Sequence, residues 1–419
     1  MKGITVLISC FLAASACAGS IIIESSYPSD VSGNPVSVAL GDTFYMTVKL
    51  HTAYNLNGPY RVRFDLPYMS RTSKPFSYVG DAYVVWGPYP ALTDGTMAVK
   101  TTVVSSTDDT GQPLTIELTP TLPGQGIEFF NPQGLSGSYG AMAKLASGTI
   151  GGLQWLAPLP QDGGFQNVAS IIQPGATVFS APYTQPVATA SKVSSIGVQF
   201  ETASSSARVN PSILRSVGFS AYVSLPVDIE PWLRPETLIE STNSEITQFV
   251  RRALPMDYRL KMGPYNAAEN LFQVVVAHMR YVASTAKPDA LAALQTGRGE
   301  CGAFSALFVA CCRNAGIPAR TVSGMLLGNN QWHVWSEFYL PGYGWIPVDP
   351  TFCQALMPDG SMPLYFGTIP ELNQRAALTY GFDHFVSGYD IPVLQSPAVI
   401  STGGTKVSSV QAWCNLTPN

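Results

Sequence analysis

The chain has 419 residues, too many for one ordinary domain, and its length sets an expectation of two or three. Apolar residues make up 46% of it and charged residues only 12%, about half the usual share, so it can build real cores and must solvate its surface with hydroxyl and amide side chains. A formal net charge of -4, with no basic block, excludes nucleic acid and an anionic membrane as the main partner, because both need a concentrated positive field.

Met1-Lys2 gives a short positive start, residues 4–14 form an apolar run, and Ala16-Cys17-Ala18 before Gly19-Ser20 has the small residues of a signal-peptidase site. Residues 1–18 read as a signal peptide, which makes the mature protein secreted or periplasmic. A lipid anchor on Cys17 is the lesser alternative, since Ala14 and not Leu stands three positions before it. No later run reaches the roughly 18 apolar residues that span a bilayer. Beyond the leader remain Cys301, Cys311, Cys312, Cys353 and Cys414, an odd set that leaves at least one unpaired. Cys353 and Cys414 could bridge, but spacing does not establish connectivity. So few cysteines make no disulfide scaffold.

Short alternating runs at 36–40, 43–51, 61–66, 97–104 and 114–118, punctuated by Gly, Pro and Asp, predict an antiparallel immunoglobulin-like β-sandwich over residues 19–123. His51, alone on one of these strands, reads as structural. Residues 124–190 are rich in Gly, Ser, Pro and Gln and fit a long ordered loop, a small β-domain or strands of the first sandwich. Residues 124–230 are thus a β-rich region, a second sandwich or an extension of the first. Alternation resumes at 194–202 and 218–229, and Pro231-Trp232-Leu233-Arg234-Pro235 is an extended connector. After it the period lengthens. Ile246, Val250 and Leu254 form one stripe, and Leu271, Val274, Val275, His278 and Val282 another, which predicts helices over 239–254 and 267–282 with His278 as a core histidine. A second domain therefore occupies 231–395, with 396–419 as a C-terminal tail.

The chemistry lies in residues 297–352. Cys301 opens the run 302–312, which is apolar on nearly all sides and so predicts a buried helix stopped by Gly316 and Pro318. At a helix start the positive end of the dipole favours a thiolate, while Cys311 and Cys312 read as core. Residues 320–327, 332–340 and 344–349 predict strands, with His333, Trp335, Glu337 and Tyr339 on one face. If Leu340-Pro341-Gly342 is the hairpin loop with a left-handed glycine, Tyr339 pairs with Tyr343 and His333 falls opposite Asp349, close enough for a carboxylate to bond an imidazole. A nucleophile, a base and an acid to orient the base are what nucleophilic acyl chemistry requires.

These residues resemble the transglutaminase-like superfamily, which shares a papain-like catalytic core. The resemblance covers residues 231–390 and is carried by GRGECGAFSALFVACCRNAGIPAR, where Gly299-Glu300-Cys301 matches a Gly-x-Cys motif, and by HVWSEFYLPGYGWIPVDPTF. It implies an α+β catalytic domain after the β-sandwich region, with Cys301 as nucleophile, His333 as general base and acid, and Asp349 orienting His333. The thiolate, paired with an imidazolium, would attack an amide and form a thioester. Water would complete proteolysis or deamidation, and an amine would complete cross-linking; hydrolysis is favoured because water is in excess and nothing marks an amine site. Gln295, six residues before the cysteine, resembles the papain oxyanion glutamine in spacing. Trp332 and Trp335 are candidates to line the cleft, and His384 reads as structural. No cofactor or metal is expected, since no ligand cluster appears outside the triad. The expected partner is a protein or peptide substrate, with a cell-surface or envelope partner open to the β-region. The competing reading is a binding or structural protein that uses the β-region and carries an idle transglutaminase-like scaffold.

Overall fold

The structure is a computed structural model that describes residues 21–52, 59–76, 80–105, 112–283 and 288–419; the expected leader and Cys17 lie outside them. Two compact units emerge: one holds the residues up to Val38 with 44–89 and 96–119, the other 39–43, 90–95 and 120–419.

In the first unit the strands Ile21–Ser29, Thr43–Thr52 and Gly80–Pro90 form one antiparallel sheet, and Met69–Thr72, Arg61–Leu66, Met97–Val104 and Leu114–Leu118 form another. Period-two alternation explains the second: Val62, Phe64 and Leu66 are buried while Arg61 and Arg63 point out. The two sheets meet where the Phe64 and Tyr89 rings pack at 6.2 Å and the Ser26 and Thr101 hydroxyls bond at 2.9 Å. The predicted strand at 36–40 does not form. There the Asp42 carboxylate accepts the Ala39 N–H at 2.9 Å and bends the chain, leaving one bridge between Ala39 and Thr121. His51 bonds Asp81 at the surface. Among the described residues Glu24, His51 and Asp81 are the one group with metal-ligand spacing, and Lys49 already supplies its cation, with Nζ 2.6 Å from Glu24 and 3.5 Å from Asp81.

In the second unit the opaque region 124–190 is folded into two sheets, both completed by the end of the chain. Gln166–Ile172, Ser195–Val209, Ile127–Ser147, Lys406–Pro418 and Gly328–Asn329 lie side by side, as do Ala176–Ser180, Gln185–Ser191, Leu153–Pro158 and Ala398–Ser401. The segment 396–419, expected as a tail, therefore supplies two strands, the longer running along Ile127–Ser147. Leu135, Tyr139, Trp155, Val198, Phe200, Cys414 and Leu416 from these sheets share one core with Met325, Ala376 and Leu378. Residues 218–229 form no strand. Phe219–Val223 is a short 3-10 turn held by the Phe219–Tyr258 ring contact and by the Tyr222 hydroxyl, which donates to the Tyr339 carbonyl at 2.6 Å.

The rest is α+β. Helices Ser244–Ala253, Pro264–His278, Ala290–Thr296, Cys301–Asn314 and Pro350–Leu356 accompany a four-stranded antiparallel sheet ordered Gly344–Val348, Trp332–Leu340, Ala319–Leu326, Arg375–Tyr380. Every residue of the Cys301 helix from Cys301 to Arg313 is buried, as an all-round apolar helix must be. His278 packs its ring on Phe249 and donates from Nε2 to the Leu294 carbonyl at 2.7 Å; it is satisfied, but half-buried at the edge of the core and not inside it as expected. His384 is fully buried between the Ser180 hydroxyl and the Gly381 carbonyl, and burial holds its pKa down to about 4. All five cysteines beyond the leader are free and buried, so Cys353 and Cys414 form no bridge. Among the described residues no helix is long and apolar enough to cross a membrane.

Candidate active site

Cys301 is the first residue of its helix, entered from Glu300 in an extended conformation. Glycines on both sides let neighbours close in: a Cβ on Gly299 would lie 2.4 Å from the Ala303 Cβ, and one on Gly302 would lie 2.7 Å from Pro288 and 2.9 Å from the Glu300 carboxylate. Only 7% of Cys301 is exposed. Its thiol donates to Glu300 Oε2 at 3.5 Å, and its sulfur lies against the Val334 N–H, next in sequence to His333. Burial, reinforced by the Glu300 carboxylate, pushes the thiol up to about 12, against the opposing pull of the Val334 N–H. The helix start therefore does not maintain a standing thiolate, contrary to the expectation from position alone.

His333 and Asp349 do come together, by a register different from the expected one. Leu340 pairs with Gly344, Tyr339 with Trp345 and Ser336 with Val348, so the loop is Pro341-Gly342-Tyr343, closed by the Tyr343 N–H on the Leu340 carbonyl at 3.0 Å. Gly342 adopts a left-handed φ of 85°, as a turn of this kind requires. Asp349 then lies just past the strand end, two residues short of the position that this register would set opposite His333. Because the slip moves the pairing sum by two, parity is preserved and the two side chains stay on one face. Asp349 also caps the helix Pro350–Leu356: its Oδ1 accepts the Phe352 N–H at 3.1 Å while Oδ2 accepts from His333 Nε2 at 2.8 Å. The proton of a neutral His333 is thereby assigned to Nε2, and Nδ1 is left as the acceptor.

A residue absent from the sequence reading completes this group. Arg375 opens the strand Arg375–Tyr380, in which every residue is buried, and its Nη1 donates to Asp349 Oδ2 at 2.7 Å. It reaches across the sheet on the same face as His333, over Gly324, which pairs with His333 on one side and Ala377 on the other. A Cβ on Gly324 would lie 3.0 Å from the Trp335 ring and 2.1 Å from the Ala376 carbonyl. Burial by itself would raise the Asp349 carboxyl, but His333 and Arg375 beside it hold it well below the usual carboxylate range. The available signal was a lone arginine opening an otherwise apolar strand, which demands a buried anion.

The remaining candidates fall elsewhere. Gln295 is exposed on the helix Ala290–Thr296 and donates to Glu245 Oε1 at 3.0 Å, away from the Cys301 sulfur's partners. Trp335 is fully buried beside His333, edge-on to Phe165, so it supports the histidine from inside and lines no cleft. Trp332 is half-buried against Tyr139 and the core that the two sheets of the second unit share.

A buried cysteine at a helix start and a histidine bonded to an aspartate just past a strand end thus lie on one α+β core. Residues 253–350 match the family model of the transglutaminase-like superfamily, and the chain carries a domain of that superfamily. Curated relatives include an uncharacterized protein of Haemophilus influenzae, 29% identical over 156 residues that cover 30% of this chain and 41% of that protein. A protein-glutamine gamma-glutamyltransferase of Pseudomonas aeruginosa is 29% identical over 148 residues, 26% of this chain and 22% of that enzyme. The chain thus spans less than half the length of these curated relatives. Among solved structures, a candidate cysteine protease of Cytophaga hutchinsonii has a TM-score of 0.49 at 15% identity, covering 69% of this chain and 92% of that one. The periplasmic domain of TgpA from Pseudomonas aeruginosa has a TM-score of 0.26 at 16% identity, covering 53% and 90%.

Proposed function

We propose that the protein is an extracytoplasmic cysteine enzyme that acts on amide bonds of proteins or peptides, with Cys301 as nucleophile, His333 as general base and acid, and Asp349 orienting His333. In this reading residues 1–18 are a removed leader and 231–395 carry the chemistry. The observation that carries it is the His333–Asp349 bond of 2.8 Å, on a strand whose Val334 N–H faces the Cys301 sulfur.

The raised thiol pKa shapes the mechanism. A thiol at about 12 rests protonated, so attack on the carbonyl carbon is coupled to transfer of the Sγ proton to His333 Nδ1, and Asp349 stabilises the imidazolium that forms. The Cys301 backbone N–H belongs to the first turn of its helix, where no intrahelical acceptor exists, and is free to hold the oxyanion. His333 then returns the proton to the departing amine, leaving a Cys301 thioester. Water, activated by the same Nδ1, releases the acid. Hydrolysis is favoured over transfer to an amine because water is in excess.

The test is a panel of glutamine-containing and other peptides with and without a primary alkylamine, followed by mass spectrometry for cleavage, deamidation or amine incorporation. Turnover by the wild type that is lost in Cys301→Ala is the expected result. Equal turnover in Cys301→Ala, or none with any peptide, would contradict the proposal, and dominant amine incorporation would reverse the preference for hydrolysis.

A further inference from the structure

Arg375 is fully buried, and a buried guanidinium is expensive unless its donors are satisfied. Here only Nη1 bonds an anion; Nε and Nη2 have no hydrogen-bond partner among the described residues. The guanidinium sits between the Phe352 ring, 4.8 Å away, and the Trp335 ring, 5.4 Å away, and those two rings also flank His333. A methionine or leucine would fill such a slot with less penalty. The oxygen it contacts is not an arbitrary one: Oδ2 of Asp349 is the same atom that accepts from His333 Nε2.

We infer that Arg375 is a positioning residue of the Cys301 site: it shares the Asp349 oxygen with His333, and so locks the ring's tautomer and weakens the carboxylate's hold on an imidazolium. This rests on the triad reading above. Three donors, from His333, Arg375 and the Phe352 N–H, hold the carboxylate in one orientation, and Nδ1 is left as the ring's acceptor. When His333 takes the Cys301 proton, Asp349 faces two cations at once, and the imidazolium is stabilised less than it would be by a carboxylate of its own. A proton held less firmly is passed on more readily to the departing amine. The other titratable groups around the pair are Glu300, which acts on His333, and Cys301, Cys353 and Tyr365, which act on Asp349, with Glu371 beside Tyr365.

The test needs no substrate: the rate of Cys301 alkylation by iodoacetamide, a neutral probe, followed from about pH 5 to about pH 10. In the wild type the rate rises with pH through a midpoint that disappears in His333→Ala. In Arg375→Met the midpoint moves up by about one pH unit, while Arg375→Lys, which keeps the charge, leaves it in place. On an Asp349→Asn background the Arg375→Met change moves nothing further, because the effect acts through the carboxylate. If Arg375→Met does not fold, Arg375→Gln makes the same comparison with a neutral side chain that keeps an N–H donor. A folded variant that keeps the wild-type midpoint, or an equal shift on the Asp349→Asn background, overturns the inference alone. A wild-type rate with no His333-dependent midpoint overturns the triad reading, and this inference with it.

Discussion

Asp349→Asn is nearly isosteric, yet no orientation of the amide satisfies its surroundings. The carboxylate accepts three hydrogen bonds: from His333 Nε2 and Arg375 Nη1 on one oxygen and from the Phe352 N–H on the other. With the amide oxygen toward Arg375, the NH2 group faces the Phe352 N–H, donor against donor. With the amide reversed, the NH2 group faces Arg375, and His333 can accept from it only by moving its own proton to Nδ1, the atom needed to receive the thiol proton. Either way Arg375, fully buried, loses its anion. Removing one partner of a buried ion pair costs about 3–5 kcal/mol, and losing the base's tautomer lowers kcat by ~100-fold or more. The linkage has a definite sign. Asp349 is depressed in the folded state, so its stabilisation is complete above the unfolded carboxyl value of about 4 and drains as pH falls toward its low folded value. Urea unfolding of the second unit should show the full gap between wild type and variant at pH 7, and a narrowing gap below about pH 4. A loss under ~1 kcal/mol at neutral pH, or a gap that widens in acid, would refute the reasoning.

Gly324→Ala places a methyl 2.1 Å from the Ala376 carbonyl and 3.0 Å from Trp335, forcing two strands apart beneath Arg375; we expect ~3 kcal/mol of destabilisation by urea unfolding, and a neutral outcome would mean the sheet is looser than described. Glu300→Gln removes the carboxylate 3.5 Å from the Cys301 sulfur, so iodoacetamide should react several-fold faster at neutral pH, although burial keeps the thiol raised. Gln295→Ala should leave peptide turnover within about twofold of wild type, since its amide bonds Glu245; a loss above ~100-fold would restore it as an oxyanion donor.

The candidate stretch was legible because its pattern is local. The proposed nucleophile, base and acid lie within residues 301–349, on a helix start, a strand and the residue just past the next strand, with a short turn between the two strands. The expected pairing slipped, yet His333 and Asp349 still met, since a two-step change in the pairing sum preserves the face of each side chain. Helices over 239–254 and 267–282 were located by their apolar stripes and formed as Ser244–Ala253 and Pro264–His278. Long-range effects were not legible. Ile127–Ser147 is a 21-residue strand interrupted in sequence by Pro132 and several glycines, and one of its partners is the chain's last strand, which no local pattern connects to it. Position alone suggested an ionised Cys301; burial beneath the strand and the Glu300 carboxylate reversed that. Arg375 follows Asp349 by 26 residues and touches it only through the fold of the sheet.

The central claim is that one of five buried thiols is made reactive by a histidine. Native labelling with iodoacetamide at neutral pH, mapped by peptide mass spectrometry, tests it directly. Cys301 should take the label ahead of Cys311, Cys312, Cys353 and Cys414, and His333→Ala should lower its rate at least ~10-fold. Labelling of Cys301 no faster than of the other four, or unchanged in His333→Ala, would contradict the account.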